Sequence, residues 1–93
     1  MNLPIDYNNS NWLQKRAARE EYIKRQQGKC LYCGTSLNAS PPEKIIKKHI
    51  NKKLFPKQFF KFPIHLHHGH NSGLTIGAVH SYCNAILWQY HGE

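Results

Sequence analysis

Three cysteines and seven histidines carry most of the chemistry open to this 93-residue chain. Cys30-Leu-Tyr-Cys33 and His80-Ser-Tyr-Cys83 are two pairs, each with two residues between the outer side chains. A gap of that size lets one turn offer both ligands to a single ion, and three sulfurs with one nitrogen form an ordinary structural zinc set. Zinc binding contributes about 10–16 kcal/mol in small zinc peptides, so the gain for a chain this short is large. The competing reading of C-x-x-C is a redox dithiol, which needs a strand-helix-strand context that is absent here. An odd number of cysteines argues against a disulfide framework, and in a reducing cytosol the pattern suits a metal.

A second cluster lies between the two cysteine pairs. Residues 62–92 hold six of the seven histidines and no Lys, Arg, Asp or Glu. Within Ile64-His65-Leu66-His67-His68-Gly69-His70 the pattern of a strand puts His65 and His67 on one face and Leu66 and His68 on the other. A lone histidine is more often structural, but six within 27 residues exceed what a core needs.

The elements that must position these groups follow from the flanking pattern. Residues 1–9 read as a loose arm. Ser10 or Asn11 caps a helix running to about Gln27, with Gly28 as its stop. Residues 28–34 form a tight turn with two thiols pointing inward, and 38–42 form a loop. A second helix is expected from Glu43 to about Leu54, ended by Pro56. Strands are expected at 62–68 and 75–79, joined by a turn at Asn71-Ser-Gly73, and a last helix from Ser81 to about Tyr90. Ile86, Leu87 and Trp88 are expected to pack that helix on the strands.

The length fits one small domain. The expected class is α+β: an N-terminal helical arm at 1–27, a zinc knuckle and basic helical segment at 28–61, and a strand-strand-helix unit at 62–93. No apolar run approaches the roughly 18 residues of a membrane-spanning helix. The first residues show no secretory pattern, so a cytoplasmic location is expected.

In their order and spacing these motifs resemble the HNH (ββα-metal) endonucleases, above all the zinc-bearing branch that includes the phage recombination endonuclease VII group. The matching stretches are Cys30-Leu-Tyr-Cys33, His67-His68-Gly69-His70, Asn71-Ser-Gly73 and His80-Ser-Tyr-Cys83-Asn84, spanning about 28–91 with an unmatched basic segment at 40–61. The resemblance implies a metal-dependent DNA endonuclease on a ββα-metal fold, of a kind common in phage genomes. It implies that His68 is the general base, that Asn84 ligates or orients the catalytic cation, and that His70 supports them. His67 stands where the family usually carries an aspartate metal ligand. Imidazole suits Mn²⁺ or Ni²⁺ better than Mg²⁺, so this departure shifts the expected metal preference. His91, seven residues beyond Asn84 on the last helix, is a further candidate ligand or phosphate contact; its ordinary alternative is to cap the helix C-terminus.

The charge agrees with a polyanionic partner, DNA before an anionic membrane. Thirteen Lys+Arg against five Asp+Glu give +8 with histidine neutral. Lys44, Lys47, Lys48, Lys52, Lys53, Lys57 and Lys61 are expected to contact the DNA backbone, with the interleaved phenylalanines mainly in the core. Lysine reads phosphate and not bases, so sequence preference should be weak. The basic residues of the first helix scatter around its circumference and read as a solubilising surface. One such centre cuts one strand, so a monomer would nick, and a homodimer is the alternative. The competing functions are a non-catalytic zinc-ribbon DNA-binding module, a Holliday-junction resolvase, which would want a dimer, and a secreted nuclease toxin.

Overall fold

Asn11 starts the first helix as a capping residue: its side chain accepts from the Gln14 backbone N–H, while the Gln14 side chain accepts from the Asn11 N–H. In the computed structural model, which describes residues 2–92, this helix, α1, spans Trp12–Arg25. It ends where Gln27 and Gly28 turn into the left-handed region and the Gly28 N–H reaches back to the Ile23 carbonyl. Its apolar stripe is short. Ala18 is its one fully buried residue, and Trp12 and Leu13 face solvent.

The expected helix from Glu43 to Leu54 does not form. Only α2, Glu43–Ile46, is helical, followed by 3₁₀ turns at Lys52–Leu54 and Phe59–Lys61. The break has a tertiary cause. The last helix captures the intervening backbone: Gln89 Nε2 and Tyr90 Oη donate to the His49 carbonyl, and Gln89 Oε1 accepts from the Asn51 N–H. Asn51 then caps the next turn by accepting from Lys53 N–H.

Strands β1 (Ile64–His68) and β2 (Thr75–His80) form a two-stranded antiparallel sheet, with a register shift between His67 and His68. β2 runs directly into α3, Ser81–His91, with His80 as N-cap and Gly92 ending the helix in the left-handed region. The architecture is α+β. The core lies among α3, β2, α2 and the knuckle, and is built from Ile86, Val79, Ala85, Leu37, Ile45 and the buried Cys30 and Cys83. Phe55, Phe59 and Phe60 pack against it, and Phe62 stays exposed.

The arm is not loose. Asp6 makes an Asx turn, accepting from the Asn8 and Asn9 N–H groups. The backbone beside it pairs with the start of β2: Tyr7 N–H donates to the Gly73 carbonyl and Thr75 N–H to the Ile5 carbonyl. The arm therefore extends the edge of the sheet and carries Tyr7 onto the histidine strand. Among the described residues, no helix is long and apolar enough to cross a membrane.

Candidate metal centre and histidine groove

The knuckle holds Cys30 and Cys33 in a turn that the Gly34 N–H closes onto the Cys30 carbonyl at 2.9 Å. Gly34 takes φ +75°, which a residue with a Cβ adopts only at a cost. A direct backbone bond and a side-chain bridge tie the knuckle to β2. Leu31 N–H donates to the Ala78 carbonyl, and the Gln26 side chain bridges the Lys29 carbonyl to both backbone groups of Ala78. His80 sits at the strand-helix junction and Cys83 in the first turn of α3.

These four residues converge. One ligand atom from each of Cys30, Cys33, His80 and Cys83 lies within 4.8 Å of the others, so the group can hold a metal ion. His80 Nδ1 is 3.4 Å from the Cys33 sulfur and 3.7 Å from that of Cys83. A tetrahedral zinc with bonds near 2.1 and 2.3 Å has an N···S edge of about 3.6 Å. The other nitrogen of His80, Nε2, is 2.9 Å from the Ser36 carbonyl and 2.8 Å from that of Ala39. Carbonyls only accept, so Nε2 carries the proton and Nδ1 offers its lone pair to the sulfurs. This is the outer-shell arrangement that orients ligating histidines. The close thiols shift one another: the neighbouring Cys83 thiol lowers Cys30 despite its burial, and the Cys30 thiol with burial pushes Cys83 up. A bound cation displaces thiol protons.

A separate groove of about 920 Å³ lies along β1 and α3. It is lined by His65, His67, His68, His70 and Asn84 among others. The amide of Asn84 lies between two histidines, with Nδ2 3.1 Å from His65 Nδ1 and Oδ1 3.0 Å from His67 Nδ1. Its orientation follows from His65. That ring's Nε2 is 2.7 Å from the Phe59 carbonyl, so Nε2 must donate. Burial lowers His65 below the usual histidine value and keeps it neutral, against the pull of the Phe59 and Phe62 carbonyls. With one proton, already on Nε2, His65 can only accept at Nδ1. The Asn84 NH₂ supplies that donor, and Oδ1 therefore faces the buried His67.

His68 follows the register shift after His67, lines the same groove, and stacks on Tyr7 with ring centroids 3.8 Å apart and planes 7° from parallel. Lys15 Nζ lies 4.0 Å from the Tyr7 ring centroid. Burial, followed by the nearby His70, His67 and Lys15, lowers His68 and favours its proton-accepting form. His70 is exposed, 5.4 Å from the His68 ring.

The structure redistributes several residues expected at the site. His91 does not line the groove; its ring lies 6.3 Å from Tyr32, beside the knuckle, because two helical turns carry it away from Asn84. Lys44, Lys47, Lys48, Lys52, Lys53, Lys57 and Lys61 are all exposed, and none lines the groove. Lys47 pairs with Glu43 at 2.9 Å, and Lys48 lies over the Tyr90 ring. The cations beside the histidines are instead Lys15, Arg16 and Arg19 of α1, the helix that reads as a mere solubilising surface. Tyr7 and His65 also join the site. Their only sequence signals are the turn-forming Asp6–Asn9 run and the i, i+2 spacing of His65 and His67. Searches against family models, curated proteins and solved structures yield no match for the chain.

Proposed function

We propose that this chain is a metal-dependent DNA endonuclease of the HNH (ββα-metal) type, with structural zinc at Cys30, Cys33, His80 and Cys83. The observation that carries the reading is the convergence of His67, His68 and Asn84 on one groove beside the α1 cations. A zinc-ribbon module that only binds DNA has no reason to build it.

His67 and Asn84 suit a second, catalytic cation. Their facing atoms are 3.0 Å apart, the separation of adjacent ligands around an octahedral ion with bonds near 2.1 Å. Such an ion would stabilise charge on the scissile phosphate and its leaving oxygen. The rest of the work falls to the chain. His68, held by Tyr7, takes a proton from water as the water oxygen attacks phosphorus. The P–O3′ bond breaks, the leaving O3′ takes a proton from solvent, and the ends are a 5′-phosphate and a 3′-hydroxyl. Lys15, Arg16 and Arg19 attract the backbone.

With supercoiled plasmid, the expected product is the open circle, formed only with added divalent metal and at least as fast with Mn²⁺ or Ni²⁺ as with Mg²⁺. Cleavage by Mg²⁺ alone would remove His67 as a ligand. Tight plasmid binding without cleavage under any metal would favour the zinc-ribbon binder.

His65 acts through Asn84. Replacing His65 by Ala frees the Asn84 amide to rotate, and an outer-shell loss of this kind costs about 10–100-fold in metal affinity or activity. The readout is the metal concentration for half-maximal nicking, which should rise for His65→Ala. An unchanged metal dependence would show that the amide needs no such support.

A further inference from the structure

The groove carries a feature that cleavage chemistry does not use. Trp12 and Phe62, 68% and 56% exposed, both line it, and Trp88 lines it beside His70. Large aromatic rings left in water forgo the burial that normally repays them. Here they share one groove with Lys15, Arg16 and Arg19. Glu20 is the acidic side chain lining it, and it lies 3.3 Å from Arg16.

We infer that the groove takes an unpaired stretch of DNA, with Trp12 and Phe62 stacking on bases and the α1 cations following the backbone. A cationic track with interleaved aromatic faces is the chemistry that holds single strands. A duplex has its base faces closed by stacking and offers an aromatic side chain only edges and phosphates. Stacking is tolerant of sequence, because every base has a π-face. The inference deepens the nuclease reading, on which it rests for placing a strand's phosphate near His68, by naming an unpaired or distorted segment as the preferred substrate.

The test is a binding measurement without added divalent metal, so its outcome does not depend on cleavage. Fluorescence anisotropy would follow a labelled DNA oligonucleotide as a single strand, as a duplex and as RNA of the same sequence, with dextran sulfate as competitor. The wild type should bind the single strand at least ten-fold tighter than the duplex. Trp12→Ala and Phe62→Ala should each weaken single-strand binding by about 5- to 150-fold and barely move duplex binding. Trp12→Phe should recover most of the loss, and unchanged thermal unfolding of the exposed-site variants would exclude misfolding. Equal affinity for both forms, no effect of the aromatic changes, or displacement by dextran sulfate as readily as by single strands would each overturn the inference. Tighter binding of the RNA would overturn the choice of DNA. Should plasmid cleavage fail with every metal while the single-strand preference holds, the nuclease reading falls and this one stands.

Discussion

Removing a metal ion held by Cys30, Cys33, His80 and Cys83 should unfold the domain. The fully buried core is small: its largest side chains are Ile86, Val79 and Cys83, and one of these belongs to the metal-binding cluster. Folded domains retain a net stability of only about 5–15 kcal/mol, and a structural zinc contributes about 10–16 kcal/mol in small zinc peptides. The measurement is circular dichroism during titration with a strong chelator. A cooperative loss of helix signal, recovered on adding Zn²⁺, is the expected course. Cys83→Ser should abolish the folded signal at 25 °C, and Co²⁺ substitution should give the absorption of a tetrahedral thiolate site in the wild type only. A melting temperature indifferent to chelator would show that the four residues are merely neighbours.

His68→Ala should lower the rate of plasmid nicking by about 10²–10⁴-fold, the usual contribution of a positioned general base. The geometry makes this the sharpest probe of the proposed chemistry. His68 lines the groove beside His67 and Asn84, its ring is held flat against Tyr7, and its surroundings favour the unprotonated form. Loss of the stacked pair should cost about 0.5–1.5 kcal/mol of stability beyond simple burial, so the variant stays folded and zinc-bound. His70→Ala is the matched control, because its exposed ring should matter far less. Initial rates for the three proteins, at one saturating metal concentration, decide the matter. Equal rates for His68→Ala and wild type would place the base elsewhere or trace the activity to a contaminant.

The order of the elements was legible because local chemistry set it. Asn11 and Gly28 mark the ends of α1, and the C-x-x-C and H-x-x-C pairs did meet, even though nearly fifty residues separate them. The pairing was readable because each half is a rigid local turn. The segment after Glu43 misled for the opposite reason. Its composition suits a helix, but Gln89 and Tyr90, some forty residues away, claim its backbone. The arm likewise acquires its structure from a strand edge that only folding brings near. The groove's cations were hidden by their scatter around α1. A helix seen end-on assigns no face until something packs against it, and here Ala18, Tyr22 and Ile23 supply that packing. The bond between His65 and Asn84 spans 19 residues, and no spacing rule predicts it.

Consecutive residues of α3, Cys83 and Asn84, belong to different centres, one to the metal cluster and the next to the histidine groove. Neighbours on a helix point about 100° apart, so α3 works as a single shaft with a tool mounted on each side. A metal held by the four clustered residues would clamp one side and thereby fix the rotation of the other. The two sites then cannot drift independently: an ion of the wrong size in the cysteine cluster would register as a misaimed amide at Asn84, with nothing altered in the groove itself. An insertion between His80 and Asn84 should therefore disturb both centres at once.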